Sequence, residues 1–137
     1  MNAKAKLNLA FCLIFFIQGC IPLAYPFKEA IPSKIRAQGE AEACFQLEDP
    51  RQVRRLAAEA AYSEAMFNLM RKIEDLYITP LSRVGTILER NPQAKLEVLS
   101  LVNQARIRKT RFLKERKIMV ELELNGDKLR EVLSPYR

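Results

Sequence analysis

The most regular alternation of apolar and polar residues lies near the end of the chain. Apolar side chains occupy every second position from Ile118 to Leu124, and Met119, Glu121 and Glu123 stand between them. A period of two is typical of a strand with one face in the core. We therefore predict a strand here and expect its two glutamates to face the basic strand that precedes it.

A pattern with helical spacing lies earlier in the chain. Asp49 and Pro50 form a helix start signal, because Asp is a favoured N-cap and Pro suits the first helical position. We predict a long helix from about Pro50 to Glu74. Its predicted inward residues are Val53, Leu56, Ala57, Ala60 and Phe67, with Met66, Leu69, Met70 and Ile73 extending that face in the second half.

Two segments have weaker patterns. Residues 34–46 predict a first strand, in which Gly39 marks a bulge or a close approach of another backbone. Residues 76–90 predict a broken strand or a strand plus loop, because Pro80 and Gly85 interrupt their apolar residues.

A second helix start signal stands at Asn91 and Pro92. It predicts a shorter helix that ends near Asn103. The residues predicted to face inward are Leu96, Leu99 and Val102.

The pattern at the end of the chain predicts a hairpin followed by a last helix. A strand begins near Arg106, and residues 114–117 form the turn into the alternating strand. Asn125 and Gly126 end that strand, and Asp127 can cap a short helix through Leu133. The element order predicts an α+β domain over residues 34–134, with one long and one or two short helices packed on a small, mostly antiparallel sheet.

The first twenty residues have the shape of a secretory signal. Lys4 and Lys6 precede an apolar run from Leu7 to Ile17, which is too short to span a bilayer. Gly19 and Cys20 follow, and the segment resembles the lipobox of bacterial lipoproteins. The resemblance implies that residues 1–19 are cleaved and that Cys20 carries acyl chains such as palmitate. The alternative is a plain signal peptide with a chance cysteine.

Residues 20–33 contain three prolines and predict an extended tether of about 3 Å per residue. Ile21 follows the lipid-attachment residue. In lipoproteins of Gram-negative bacteria an Asp at that position commonly retains the protein at the inner membrane. The resemblance therefore implies an outer-membrane lipoprotein that is anchored in the lipid and faces the periplasm.

Composition gives little support for catalysis. The chain has a formal net charge of +7 and contains no histidine, so the commonest general base and metal ligand is missing. Of the three cysteines, only Cys44 would remain as a thiol, and we expect it to be a small core residue. No phosphate-binding glycine loop occurs. We expect a protein that is not an enzyme and has neither a cofactor nor a metal site.

One cluster of charge stands out. Seven basic residues lie between residues 106 and 117, and they are Arg106, Arg108, Lys109, Arg111, Lys114, Arg116 and Lys117. Such a hairpin suits anionic headgroups or an acidic neighbouring subunit, for example one that presents Glu59 and Glu64. The other interpretation is a solvated sheet edge whose charges discourage strand pairing. We expect no nucleic-acid partner in an exported protein.

The sequence also resembles a known family. Its first strand contains Ile35-Arg36-Ala37-Gln38-Gly39-Glu40-Ala41, its long helix contains Arg55-Leu56-Ala57-Ala58-Glu59-Ala60-Ala61, and Val102-Asn103-Gln104-Ala105-Arg106-Ile107 precedes the hairpin. These segments, in this order, resemble small outer-membrane lipoproteins typified by flagellar lipoprotein P (FlgP), whose module is also the N-terminal domain of flagellar assembly protein T.

The resemblance implies a homo-oligomeric ring or disk component of the flagellar basal body that is needed for motility. Its partners would be outer-membrane lipid, reached through Cys20, and flagellar or other envelope proteins. Two alternatives remain open. One is a lipoprotein that regulates a periplasmic enzyme such as a peptidoglycan synthase, and the other is a lipoprotein that adheres to peptidoglycan.

Overall fold

The computed structural model describes residues 31–43, 49–113 and 116–136. Its elements, in chain order, are β1 (Lys34–Glu42), α1 (Pro50–Glu74), β2 (Tyr77–Thr79), β3 (Ser82–Arg83), α2 (Val84–Arg90), α3 (Pro92–Asn103), β4 (Arg106–Phe112), β5 (Lys117–Asn125), α4 (Gly126–Leu133) and a 3₁₀ turn at Ser134–Tyr136. The main sheet has the antiparallel order β1-β5-β4, and β2 pairs with β3 separately. The predicted α+β class is confirmed.

The centre of the core is β5. Its apolar residues Ile118, Val120, Leu122 and Leu124 are buried, as their alternation predicts, and α1 packs over β5 and β1. The opposite face of β5 is polar but is not fully exposed to solvent. Glu121 there is only 7% exposed, because the side chains of β1 and β4 flank it on both sides.

Helix α1 begins and ends where the sequence predicts. The Asp49 carboxylate accepts a hydrogen bond from the N–H of Arg51 at 2.9 Å, and Pro50 occupies the first turn. At the other end, Arg71 and Lys72 lie in the last turn, where cations interact favourably with the helix dipole. The start signal in the sequence is therefore the physical cap of the helix.

The inward face of α1 is partly different from the prediction. Leu56, Ala60 and Phe67 are exposed, so their assignment to the core was wrong. The buried residues recur every four positions, and they are Ala57, Ala61, Ala65, Leu69 and Ile73. Three of these are alanines, because the first half of the helix lies too close to the sheet for larger side chains.

Gly39 is the point of that close approach in β1. A Cβ atom at this position would lie 2.2 Å from both the carbonyl oxygen of Ala61 and the backbone nitrogen of Ala65. Only a residue without a side chain fits between the strand and the helix backbone here. The predicted close backbone approach is confirmed.

The segment after α1 contains a helix that the prediction missed. Tyr77–Thr79 and Ser82–Arg83 form a small hairpin, and Val84–Arg90 is the short helix α2. Val84, Ile87 and Leu88 are buried with the i, i+3, i+4 spacing of one helical face. A helix of seven residues is too short for that periodicity to stand out in the sequence.

Helix α3 has the predicted bounds but turns a different face inward. Leu96 and Leu99 were predicted to be buried and are 63% and 36% exposed. Val102 is buried as predicted. The helix contacts α1, α2 and α4, and these contacts bury a stripe that consists of Ala94, Val98, Leu101 and Val102.

The last helix is capped by a different residue from the one predicted. The side chain of Asn125 accepts hydrogen bonds from the N–H groups of Asp127 and Lys128 at 2.8 and 3.3 Å. Asp127 instead lies in the first turn, where it pairs with Arg130. Asn125 therefore ends β5 and begins α4.

Candidate partner-binding site

The predicted basic cluster lies at one edge of the main sheet. Of its seven members, Arg106, Arg108, Lys109 and Arg111 lie in β4, Lys117 begins β5, and Arg116 lies just before it in the turn, with a positive φ of 65°. Lys114 lies outside the described residues. Every residue of β4 is exposed, so the structure places a basic strand at the surface.

The two faces of β4 have different chemistry. Arg106, Lys109 and Arg111 lie opposite Glu123, Glu121 and Met119 of β5, on the face of the sheet away from the helices. We call this face the open face. Ile107, Thr110 and Phe112 lie opposite Leu122, Val120 and Ile118, on the helix side. An irregularity in the register at Arg108 separates the two halves of the strand.

The glutamates of β5 meet the basic strand, as the sequence predicts. Arg108 Nη1 lies 2.6 Å from Glu121 Oε1, and Arg108 Nε lies 3.9 Å from Glu123. The hydrogen bond from Arg108 lowers the pKa of Glu121, and a hydrogen bond from Arg36 on β1, at 2.7 Å, does the same for Glu123. These bonds hold a row of alternating charges across the open face.

Three of the basic residues in β4 do not pair with the glutamates of β5. Arg106, Lys109 and Arg111 form no ion pair with any residue that the structure describes. The open face of β4 therefore carries positive charge that the rest of the described domain does not neutralise. Such a strip attracts anionic groups.

The outer edge of β4 also presents unpaired backbone groups. The N–H of Leu113 donates to the carbonyl of Lys117 at 2.7 Å. Bonded and non-bonded pairs alternate along an antiparallel ladder, so Arg111 and Lys109 also bond to β5. The N–H and C=O groups of Thr110 and Phe112 consequently point away from the sheet.

The opposite edge of the sheet is different, because α1 covers it. Three side chains of α1 spaced four residues apart bond to the outer backbone groups of β1. Glu64 accepts from the N–H of Glu40 at 2.9 Å, Asn68 donates to the carbonyl of Gln38 at 2.8 Å, and Lys72 donates to that of Arg36 at 3.0 Å. This ladder blocks strand pairing at β1.

This ladder was not predicted from the sequence. The sequence predicts Glu64 in an acidic face that could meet the basic hairpin, but in the structure its carboxylate accepts a hydrogen bond from the N–H of Glu40 in β1. Polar residues at i, i+4 and i+8 resemble an ordinary solvated helix face. The signal that could have revealed them is their position beside the alanines that bring α1 onto β1.

An apolar surface accompanies the free edge. Ile107 and Phe112 are 55% and 67% exposed on the helix side of β4. The guanidinium of Arg54 on α1 lies 5.7 Å from the centre of the Phe112 ring, a distance at which cation–π attraction operates. Because α1 packs over β1 and β5, most of this side of β4 remains uncovered by the described residues.

The other predicted sites give less information. Cys20 and Cys44 lie outside the described residues, as do the signal segment and most of the tether. Within residues 31–43, 49–113 and 116–136, no group of three or more potential metal ligands comes together. In the same ranges, no helix has the length and apolar character needed to cross a membrane.

Comparison with known proteins gives no assignment of family. The chain matches no protein-family model, and no curated protein matches it either.

Proposed function

We propose that this protein is a non-enzymatic, lipid-anchored scaffold of the outer membrane and a structural component of the flagellar basal body. Acylated Cys20 holds the chain in the inner leaflet, and the segment up to residue 30 sets the height of the domain above it. The predicted tether extended to residue 33, but Ile31 is buried in the core and Ser33 accepts a hydrogen bond from the N–H of Gly126 at 2.8 Å, so residues 31–33 belong to the domain. The domain then binds envelope proteins through the edge of β4 and further copies of itself through other surfaces. Anchoring in a membrane raises the effective concentration of the subunits, so modest interfaces suffice for a ring.

The observation that carries the proposal is the exposed basic strand β4. Its edge offers backbone groups, positive charge and apolar side chains together, whereas the other edge of the sheet is closed by α1. A domain with one closed and one open edge is suited to docking in a single orientation. The lipobox and the resemblance to flagellar lipoproteins support the location and the assembly.

Deletion of the gene tests the proposed role. We expect loss of swimming with normal filament synthesis, and loss of density around the rod in electron cryotomograms of the flagellar base. Complementation with the parent gene should restore both, and a Cys20→Ser variant should restore neither. Normal motility and an unchanged flagellar base in the deletion strain would refute the flagellar role.

A second candidate is adhesion to peptidoglycan. The three unpaired basic residues of β4, Arg106, Lys109 and Arg111, favour it, because peptidoglycan carries carboxylates. Isolated peptidoglycan should then retain the full-length chain at low salt and release it at high salt. A triple glutamine variant at these positions should not be retained. Equal retention of the parent and the variant would refute this candidate.

A further inference from the structure

We propose that the outer edge of β4 binds an extended segment of a partner protein as an added antiparallel strand, and that acidic and apolar residues alternate in this segment. The inference rests on the proposed scaffold function, since it names the partner chemistry of the same surface. Strand addition is an established mode of recognition in which backbone hydrogen bonds give affinity and side chains give specificity.

The two edges of the main sheet differ in the partners of their outer backbone groups. At β1, side chains of α1 already bond to the outer backbone groups of Arg36, Gln38 and Glu40. At β4, the corresponding groups of Thr110 and Phe112 have no such partner among the described residues. Among the described residues, this edge of the main sheet is therefore open at its backbone. Its positive charges discourage pairing with unsuitable strands but favour an acidic one.

The side chains of β4 specify the partner. On the open face, an added strand would lie beside Arg106, Lys109 and Arg111, where acidic side chains pair favourably across neighbouring strands. On the helix side it would lie beside Ile107 and Phe112, which are more than half exposed and can contact apolar side chains. Successive residues of a strand point to opposite faces, so the matching segment alternates acidic and apolar residues.

A second copy of this chain does not fit the edge. Pairing of β4 with β4 of another copy would bring arginine and lysine side chains of both strands together on the open face, and like charges on neighbouring strands are destabilising. Pairing of β4 with β1 of another copy would require the ladder of Glu64, Asn68 and Lys72 to leave β1. The charge and the closed edge therefore select a different, acidic protein.

The probe is a seven-residue peptide, the length of β4, in which Glu and Val alternate and both ends are blocked. The full-length chain in detergent should bind it, and should bind a Lys/Val peptide at least about tenfold more weakly because of charge repulsion. Two further peptides are N-methylated, one on the backbone nitrogens of its Val residues and the other on those of its Glu residues. In the antiparallel pairing the Val N–H groups face Thr110 and Phe112, so methylation of Val should weaken binding about tenfold or more, and methylation of Glu should not.

Two variants of the chain test the edge itself. Thr110→Pro removes an outward N–H and leaves the ladder to β5 intact, as Pro is tolerated on the free side of an edge strand. It should lose binding at least about tenfold. Thr110→Val keeps the N–H and should bind like the parent. Circular dichroism shows whether both variants are folded, and the methylated peptides test the proposal on the parent chain even if one is not.

Hydrogen exchange detects the proposed backbone hydrogen bonds between β4 and the peptide directly. The amides of Thr110 and Phe112 should exchange rapidly in the free chain and become protected when the Glu/Val peptide binds. Equal binding by both methylated peptides would mean electrostatic attraction alone and would overturn strand addition. Protection of these amides in the free chain, whether by a second copy or by the chain itself, would also overturn it. The motility experiment does not decide this result, so failure of either proposal can be distinguished.

Discussion

The substitution Gly39→Ala is the sharpest test of how the domain is packed. A methyl group at this position would meet the carbonyl oxygen of Ala61 and the nitrogen of Ala65 at 2.2 Å. Both atoms belong to the backbone of α1, so no side-chain rotation can relieve the contact. The helix must therefore move away from β1, which disturbs the alanine contacts and the bonds that α1 makes to the edge of the strand.

The expected cost follows from two opposing effects. Replacing Gly by Ala within a strand normally gains about 0.5–1 kcal/mol, because the unfolded chain loses freedom. Overpacking of a tight core costs about 1–3 kcal/mol, and occasionally more when backbone must shift. At a distance of 2.2 Å we expect the upper part of that range, and so a net loss of about 2 kcal/mol.

Urea unfolding of the purified chain, followed by far-ultraviolet circular dichroism, measures this loss. With a slope of about 1–3 kcal/mol per molar urea, a loss of about 2 kcal/mol should lower the midpoint by roughly 0.7–2 M. Gly85→Ala is the matched control. A Cβ atom at this position would lie 3.1 Å from the carbonyl oxygen of Glu74, and the substitution should change stability by less than about 0.5 kcal/mol. An unchanged midpoint for Gly39→Ala would refute the close approach of α1 to β1.

Four other substitutions test the open face, the ladder on β1 and the core, the fourth as a control. The hydrogen bond from Arg108 lowers the pKa of Glu121, so this carboxylate stabilises the fold above its ordinary pKa of 4.5 and that contribution is lost as pH falls through the lowered value. Glu121→Gln should therefore reduce the fall in melting temperature between about pH 6 and about pH 3, and an equally steep fall would contradict the pairing. Asn68→Ala removes one bond of the ladder on β1 and should cost about 0.5–1.5 kcal/mol in urea unfolding, whereas no loss would mean that the bond is not formed. Leu122→Ala should cost about 2–5 kcal/mol, because Leu122 is fully buried, while Leu81→Ala, at a residue that is 98% exposed, should change stability by less than about 0.5 kcal/mol.

The elements with local signals were predicted well from the sequence. Asp49 and Pro50 act at the start of α1 through their own side chains, so the start of that helix is set by neighbouring residues. The alternation in β5 is regular because the strand is central, with one face entirely in the core. In both cases the residues that determine the element lie within it or next to it in the sequence.

The faces of the helices were harder to predict, because they depend on distant parts of the chain. Phe67 lies on α1 beside the buried stripe, and its greater hydrophobicity makes it a stronger candidate for the core than Ala61 when only the sequence is considered. The sheet selects Ala61 because Gly39 allows the backbones to approach. The ladder from α1 to β1 depends on the same approach, so the difference between the two sheet edges could not be predicted from local patterns.

The exposure of the basic strand was predictable, and a sheet edge was one of its two interpretations, but the backbone groups at its free side could not be predicted. A run of positive charge indicates an exposed surface, and the exposure of β4 agrees with this. Whether that strand lies at an open edge depends on the strand order β1-β5-β4, which pairs the first strand with the last. Only this pairing leaves Thr110 and Phe112 at the free side.

Mass spectrometry of the chain isolated from membranes shows whether Cys20 carries a lipid, and the proposed function depends on that lipid. We expect a mature polypeptide that begins at Cys20 and carries acyl chains on it, and a Cys20→Ser variant should leave the membrane fraction. A mature chain with a free thiol at Cys20, or one that retains residues 1–19, would refute lipid anchoring at this residue.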